Sequence, residues 1–205
     1  MIGILDYGVG NLTSVLNGLK YFNSDHDIRI ITTRRELSEC AKIVLPGVGA
    51  FEDASKLLRE NGLDEQLITE ADKGKAILGV CLGMQLLGTR SFEGHETEGL
   101  GLIPGDVVRI NYDGVKVPHM GWNEVQQKMD CVLFKGIKNR NNFYFAHSYH
   151  FQCIQSNHVL ATTEYGSRIT SAIWRDNIYG IQFHPEKSQK NGLMLLSNFV
   201  ELVDG

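Results

Sequence analysis

Apolar residues in the first half of the chain alternate between short continuous runs and wider helical spacings. The short runs predict buried strands over residues 2–6, 28–32, 43–45 and 76–80. Asn11 is the predicted N-cap of a helix whose apolar stripe is Leu12, Val15, Leu16, Leu19 and Phe22. Further helices are predicted through residues 54–58 and 63–71 and from residue 82 onward. Strands separated by helices of this length need crossover connections, so the pattern predicts a mainly parallel sheet covered on both faces.

The second half of the chain changes to short apolar runs separated by turn residues, a pattern typical of antiparallel strands. These runs are residues 107–110, 115–117, 131–134, 143–146, 159–163, 169–174 and 178–183. Asp176-Asn177 predicts a tight turn between the last two, and a helix is predicted from about Lys190 to Val203. We therefore expect an α/β fold, a mainly parallel open sheet flanked by helices with an antiparallel β elaboration, as a single domain over residues 1–205.

Composition and charge exclude several classes of function. Of the 205 residues 42% are hydrophobic and 21% charged, an ordinary globular balance. With 20 basic and 24 acidic residues the net charge is −4, which argues against binding to nucleic acid or to an anionic membrane. No apolar run reaches the roughly 20 residues of a membrane helix. Residues 1–6 lack the basic region of an export signal, so we expect a cytoplasmic protein. The 4 cysteines form no Cys-x-x-Cys pair, which argues against zinc or a redox dithiol.

The segment Gly79-Val80-Cys81-Leu82-Gly83 lies at the predicted junction between the fourth strand and the following helix. Gly-x-Cys-x-Gly is the cysteine counterpart of the nucleophile elbow, a sharp turn that exposes its central side chain at the carboxyl edge of a sheet. A helix N-terminus favours the thiolate, and the backbone N–H of Leu82 can donate to an oxyanion. A small buried cysteine is the simpler interpretation of Cys81 by itself; the glycines on both sides favour a nucleophile.

A base and a second oxyanion donor are predicted at the ends of two other strands. In His184-Pro185-Glu186, residues i and i+2 of an extended segment point to the same side, so the imidazole and the carboxylate can meet. Pro185 favours the extended conformation of His184. The segment Pro46-Gly47-Val48-Gly49 ends the third strand and lies beside Cys81 if strands three and four are neighbours. Each segment alone is typical of a loop, but together they predict thiol chemistry on an acyl group.

These three segments together resemble the class I (triad) glutamine amidotransferases, and the resemblance covers essentially the whole chain. Four further segments resemble one branch of that family, the glutaminase subunits of imidazole glycerol phosphate synthase in histidine biosynthesis. They are Asp6-Tyr7-Gly8-Val9-Gly10-Asn11, Pro118-His119-Met120-Gly121-Trp122-Asn123, Tyr144-Phe145-Ala146-His147-Ser148-Tyr149 and Lys187-Ser188. The resemblance implies a flavodoxin-like sheet, and it implies neither a cofactor nor a metal.

The resemblance also implies a role for each part of the site. Cys81 is expected to attack the side-chain amide of L-glutamine and form a γ-glutamyl thioester, while His184 transfers protons and Glu186 orients the imidazole. The oxyanion hole is expected at Leu82 and at Val48-Gly49, with the Val48 N–H donating after a peptide rearrangement. The residues expected to bind the amino-acid part of glutamine are Gly47, Gln85, Ser148 and Tyr149.

A second polypeptide is expected, because ammonia is nucleophilic only when unprotonated and diffuses away from the site that releases it. A (β/α)8 barrel alone needs about 250 residues, so this chain cannot also hold such a synthase. The resemblance implies a heterodimer with a (β/α)8-barrel cyclase subunit, with Asn11, Trp122 and Lys187 at or near the interface. The chain alone is then expected to be a poor glutaminase that the partner and a nucleotide stimulate.

Three other functions were weighed against this one. A paralogous glutaminase subunit of the same family could supply ammonia to an enzyme that aminates sugars for surface polysaccharides, and rescue of histidine auxotrophy would separate the two. A non-catalytic interaction protein of this fold is disfavoured because all three triad members are present. A cysteine peptidase of related fold has no reason to carry residues 118–123.

Local motifs offer weaker alternatives. Gly8-Val9-Gly10 lacks the third glycine of a dinucleotide-binding loop, because Thr13 stands in its place. His147 and His150 are three apart on a predicted strand, so they point to opposite faces and make a poor metal pair. Residues 93–98 are acidic and flanked by glycine, which favours a solvated loop.

Overall fold

The computed structural model describes residues 1–202 of the chain. Its first half has four strands, β1 (Ile2–Leu5), β2 (Ile28–Ile31), β3 (Lys42–Gly47) and β4 (Ala76–Cys81). The helices between and after them are α1 (Leu12–Lys20), α2 (Arg34–Glu39), α3 (Phe51–Glu60), α4 (Leu63–Asp72) and α5 (Leu82–Leu86). Nearly every residue of β1, β3 and β4 is buried, and burial on both faces explains their continuous apolar runs.

The second half adds short strands and a closing helix to the described chain. The strands are β5 (Arg90–Ser91), β6 (Thr97–Glu98), β7 (Gly105–Arg109), β8 (His119–Gln127), β9 (Asn141–His147), β10 (Tyr149–Cys153), β11 (Val159–Tyr165), β12 (Ser167–Arg175) and β13 (Ile178–Ile181), and the helix is α6 (Gln189–Val200). The sheet order is β2-β1-β3-β4-β13-β12-β10-β7-β5-β6, and β11, β8 and β9 branch from β12. Pairing is parallel from β2 to β13 and antiparallel from β13 to β7. The predicted α/β fold with an antiparallel elaboration is confirmed.

Strand register brings three loops to one edge of the sheet. β3 pairs with β4 so that Gly47 lies opposite Cys81, and β13 pairs with β4 so that Ile181 lies opposite Val80. The expected adjacency of the third and fourth strands is therefore confirmed. Because parallel strands end at a common edge, the segments after Gly47, Cys81 and Ile181 meet there.

Apolar clusters cover both faces of the parallel strands. One cluster packs α1 and α6 against the sheet, and Leu19 and Phe199 are fully buried in it. The other packs α2, α3 and α4 against the opposite face, with Phe51 and Leu67 fully buried. The site at the sheet edge is thus supported by core packing from two directions.

Some predicted elements were wrong. Residues 115–117 form no strand, and Val132–Phe134 form a 3-10 turn whose Leu133 and Phe134 are anchored in the core. Short apolar runs do not distinguish a strand from a buried turn. The helix predicted to reach Val203 ends at Val200, and Val203 lies outside the described residues.

Five strands and helices of the described chain were missed, namely β5, β6, β8, β10 and α2. The signals of β8 and α2 are polar. β8 has Val125 as its buried aliphatic residue, so it has no apolar run. α2 begins at a capping box, in which the Glu36 carboxylate accepts from the Thr33 N–H and the Thr33 hydroxyl accepts from the Glu36 N–H. Within residues 1–202 no helix is both long and apolar enough to cross a membrane.

Candidate active site

Cys81 ends β4 and precedes α5 in a strained conformation. Its φ is 56° and its ψ is −109°, a combination that side-chain-bearing residues rarely adopt and that nucleophile elbows use. A Cβ on Gly79 would lie 2.6 Å from the Gly83 oxygen, and a Cβ on Gly83 would lie 1.8 Å from the Leu45 oxygen. Both glycines are therefore required sterically, because α5 packs directly on the backbone of β3 and β4.

His184 follows β13 and is fixed by its backbone and its ring. Its N–H donates to the Tyr144 oxygen at 2.8 Å. Its Nδ1 lies 2.9 Å from Glu186 Oε1, across a 3-10 turn that spans Pro185–Lys187. The side chains of His184 and Glu186 are 6% and 3% exposed. With Nδ1 bound to the carboxylate, Nε2 remains available for the thiol.

The pKa of His184 is raised to about 10. Burial lowers this pKa, but hydrogen bonds and charge interactions with Cys81 and Glu186 outweigh burial. The arrangement therefore favours an imidazolium that contacts both Cys81 and Glu186. A thiolate is the reactive form of a cysteine nucleophile and a neighbouring positive charge favours that form, so an imidazolium here suits acyl transfer.

The side-chain amide of Gln182 is buried next to the Cys81 thiol. Gln182, at 0% exposure, donates from Nε2 to Cys81 Sγ at 3.7 Å and accepts at Oε1 from Gln85 Nε2 at 3.0 Å. Gln85 Nε2 also donates to the Tyr149 oxygen at 3.0 Å. Both amide hydrogens of Gln85 are thus engaged, which leaves its Oε1 as an acceptor. Gln182 lies in the segment that suggested the base, but nothing in the sequence assigned it a contact with sulfur.

A cleft of about 310 Å³ opens in front of the thiol. Its lining includes most of the residues expected at the site: Val48, Gly49, Cys81, Leu82, Gln85, Ser148, Tyr149 and His184. Gly47 does not line the cleft but lies beside Cys81 in the β3–β4 register. The lining residues that the sequence did not assign to the cleft are Glu93, Pro118, Met120, Ala146, His147 and Lys187. Lys187 was expected at the interface instead.

Glu93 is the charged group on this lining that sequence reasoning missed. Its Oε2 accepts from the Phe51 N–H at 2.9 Å, which fixes the carboxylate at the start of α3. Its segment had been expected to be a solvated loop. One acidic residue in such a loop carries no sequence signal, because its place in the cleft depends on packing between distant segments.

Both residues expected to donate to the oxyanion line the cleft next to Cys81. Leu82 is the first residue of α5, and Val48 directly follows β3 at the same edge of the sheet. Gly49 has a φ of 103° and nothing within 4 Å of an added Cβ, so the loop has room to turn. All three residues line the cleft together with Cys81.

A half-exposed aromatic patch adjoins the cleft. We define the β8–β9 patch as Met120, Trp122, Tyr144 and Lys187. Trp122 meets Tyr144 at a ring separation of 6.1 Å, and Lys187 Nζ lies 5.8 Å from the Tyr144 ring centre. Met120 and Trp122 are 65% and 48% exposed on the same face of β8. Two of the residues expected at an interface, Trp122 and Lys187, therefore lie together.

Asn11, the third of those residues, is exposed and caps α1. Its Oδ1 accepts from the Ser14 N–H at 3.4 Å. The helix that it begins packs against the turn Pro185–Lys187. Asn11 therefore lies at the end of the molecule that carries His184 and Glu186.

Within residues 1–202 no three His, Cys, Asp or Glu side chains come together as a metal site would need. The four cysteines are free thiols.

Known proteins are similar to this chain over nearly its full length. Residues 4–202 match the family model described as glutamine amidotransferase class-I. The chain is 46% identical over 203 residues to the imidazole glycerol phosphate synthase subunit HisH of Caldanaerobacter subterraneus subsp. tengcongensis, covering 99% of this chain and 98% of that protein. It is 45% identical over 205 residues to the corresponding subunit HisH 2 of Pseudomonas aeruginosa, covering 99% and 100%. The HisH subunit of Methanocaldococcus jannaschii is 44% identical over 203 residues, with coverage of 99% and 100%.

Solved structures share the fold. One described as a crystal structure of glutamine amidotransferase matches with a TM-score of 0.76 at 20% identity, covering 98% of this chain and 97% of the other. PurLQS from Thermotoga maritima matches with a TM-score of 0.76 at 17% identity, covering 97% and 96%. At such low identity the likeness shows the architecture only.

Proposed function

The chain belongs to the class I glutamine amidotransferase family, and on that premise we propose that it is the glutaminase subunit of imidazole glycerol phosphate synthase. Full-length relatives of about 45% identity that carry that subunit name support the assignment. They favour it over a paralogous subunit that supplies a sugar-aminating enzyme. The observation that carries the chemistry is the buried His184–Glu186 pair at 2.9 Å beside the strained Cys81.

In the proposed reaction the Cys81 thiolate attacks the side-chain amide carbon of L-glutamine. The imidazolium of His184 gives its Nε2 proton to the amide nitrogen as the C–N bond breaks, so ammonia leaves and a γ-glutamyl thioester remains. Water then attacks the thioester and passes a proton to the neutral His184. Collapse of this second intermediate restores the thiolate and imidazolium and releases the γ-carboxylic acid, which loses its proton to water and becomes glutamate. Glu186 holds the ring and stabilises its charge throughout.

The remaining cleft residues are proposed to hold the substrate. The N–H groups of Leu82 and Val48 stabilise the oxyanion, and removal of one such donor costs about 10²–10³ in rate. Val48 has to turn its peptide toward the thiol, which the free space around Gly49 allows. The amino-acid part of glutamine has an ammonium and a carboxylate. The Gln85 Oε1 and the Glu93 carboxylate suit the former, and the Ser148–Tyr149 backbone suits the latter.

A partner is proposed to receive the ammonia. A (β/α)8-barrel cyclase docked on the β8–β9 patch, with Asn11 at the edge of the contact, would cover the mouth of the cleft and keep ammonia away from water. Met120 lines the cleft and is also exposed on the patch, so it connects the cleft with the proposed docking face. An enzyme of amino-acid biosynthesis without a membrane helix in its described part is proposed to act in the cytoplasm.

The test is a coupled assay of glutamate release from L-glutamine. We expect low activity of the purified chain, strong stimulation by the cyclase subunit with its nucleotide bound, and none from Cys81→Ser under any condition. Complementation separates the two acceptors, because a histidine-pathway subunit rescues a histidine auxotroph that lacks its own glutaminase subunit. Equal glutaminase activity with and without the partner, or failure to rescue the auxotroph, would count against the proposal.

A further inference from the structure

Two buried histidines beside the cleft have no part in the proposed reaction. His119 on β8 lies opposite His147 on β9, and the exposed fractions of the two residues are 3% and 6%. His119 Nδ1 and His147 Nε2 are 3.0 Å apart. The ring of His119 is stacked between Phe145 and Tyr165, with centroid separations of 4.6 Å and 3.9 Å. Both rings are therefore held in place by packing as well as by their hydrogen bond.

The partners of the two rings define where each proton lies. His147 Nδ1 is 2.8 Å from the Tyr149 oxygen, and a carbonyl can only accept, so Nδ1 carries the hydrogen. His147 Nε2 is then an acceptor in the neutral ring, and His119 Nδ1 must donate to it. At the far end Asn123 Nδ2 lies 3.2 Å from His119 Nε2 and 3.2 Å from the Glu164 oxygen, so the amide donates to both.

The amide orientation of Asn123 is fixed independently. Its Oδ1 accepts from the Glu124 N–H at 2.8 Å, so its Nδ2 faces His119. Both histidines are thus neutral Nδ1–H tautomers, and all four ring nitrogens are paired. Burial lowers the pKa of His119 to about 4 and that of His147 to about 3, which agrees with two neutral rings. A further proton on His147 would set two donors against each other.

The hydrogen-bond chain ends on the wall of the cleft. The bond from His147 to the Tyr149 oxygen bridges the bend at Ser148, where β9 passes into β10. The same oxygen accepts from Gln85, whose other contact leads through Gln182 to the thiol. The chain starts on β8, whose inward face carries His119 and Asn123 and whose outward face carries Trp122.

We propose that His119 and His147 are positioning residues for glutamine, which anchor the Ser148–Tyr149 wall of the cleft to strand β8. This inference rests on the proposed glutaminase function, and it assigns the pair to substrate binding rather than to the chemical steps. Asn123 supports the same anchor, because its Nδ2 donates to His119 Nε2 and so keeps His119 in the Nδ1–H tautomer, which can donate to His147.

Two variants of one residue test the pair in the complex with the cyclase. His119→Leu keeps the bulk and removes the donor to His147, whereas His119→Asn retains an N–H near the position of Nδ1. We expect His119→Leu to raise KM for glutamine about tenfold, with kcat little changed. A tenfold change is on the order of the free-energy cost of leaving one buried hydrogen-bonding group unpaired. His119→Asn is expected to recover most of that loss. Equal KM values for wild type and His119→Leu, or a loss confined to kcat, overturn the assignment.

A measurement on the unsubstituted protein keeps the test open if a variant does not fold. In ¹⁵N-histidine NMR we expect His119 and His147 to show a protonated Nδ1 and an unprotonated Nε2 at neutral pH, with a coupling across the bond between the rings. A charged ring or an Nε2–H tautomer at either residue rejects the proposal. A wild-type complex that releases no glutamate rejects the proposed function instead, so the two failures are distinguishable.

Discussion

The substitution Gly83→Ala tests whether the elbow at Cys81 depends on direct backbone contact between α5 and β3. An added Cβ would lie 1.8 Å from the Leu45 oxygen and 2.8 Å from its carbonyl carbon, whereas real Cβ contacts essentially never fall under 3.0 Å. The neighbouring atoms belong to the backbone of a central strand and cannot rotate away. Most of the required movement, more than 1 Å, therefore falls on α5 and on the Cys81–Leu82 peptide.

The size of this clash determines the expected effects on stability and on catalytic rate. Overpacking in a well-filled core costs about 1–3 kcal/mol, which corresponds to a fall in melting temperature of about 2–12 °C for a chain of this size. A displacement of about 1 Å in a catalytic group costs about 100-fold in rate, so we expect kcat/KM for glutamine to fall by at least that factor. Activity should therefore suffer far more than stability.

The assay pairs thermal melting with glutamate release in the cyclase complex. Gly74→Ala is the matched control, because Gly74 has a φ of 86° and no atom within 4 Å of an added Cβ. Its cost is the backbone strain alone, about 1–2 kcal/mol, and its kcat/KM should equal that of the wild type. If Gly83→Ala also kept wild-type kcat/KM, the elbow would not depend on this contact and the reasoning would be refuted.

Two further predictions concern the charges and donors around the thiol. Burial lowers the pKa of His184, but bonds with Cys81 and Glu186 raise it to about 10, so the stabilisation is complete below the ordinary value of about 6.5 and is lost as pH rises through about 10. The melting-temperature difference between wild type and Glu186→Gln should therefore be largest below about pH 6.5 and shrink toward pH 10, and a difference that does not vary with pH would contradict this. Gln182→Leu removes the donor to Cys81 Sγ, so it should slow the alkylation of Cys81 by iodoacetamide and lower kcat/KM, each by about 10–100-fold. Gln152→Leu is the control, because Gln152 is exposed. An unaltered alkylation rate in Gln182→Leu would exclude the contact with sulfur.

The sequence predicted those parts of the fold in which burial imposes one pattern. The central parallel strands β1, β3 and β4 are buried on both faces, so their apolar runs and the helices between them indicate the sheet directly. β8 escaped prediction because its outward face is exposed and its inward face carries His119 and Asn123 instead of aliphatic residues. Such a strand owes its place to pairing with β9 and β11, which no local pattern records.

The candidate site divides in the same way. The elbow glycines and the His184–Glu186 spacing are local constraints, so they can be recognised in the sequence. The contacts of Gln182 with Cys81 and of Glu93 with Phe51 join residues 101 and 42 positions apart. His119 meets His147 across 28 positions. These side chains acquire their roles only when the strands pair, and their residue types alone are typical of any polar surface.

The triad and the proposed docking face differ in how they are supported, and this difference decides where a partner can act. Cys81 and His184 follow β4 and β13, a parallel pair in the middle of the sheet whose residues are almost all buried. Such strands open only at a free energy close to that of global unfolding. In the described chain β8 and β9 join the rest of the sheet only through β11, and the outward face of β8 is exposed. A partner bound at Trp122 can therefore shift β8 and the Ser148–Tyr149 wall. The triad, which β9 contacts where the His184 N–H donates to the Tyr144 oxygen, is held in place by the central strands. We accordingly expect activation to change glutamine binding and the position of the Val48 donor, and to leave the geometry of the triad unchanged.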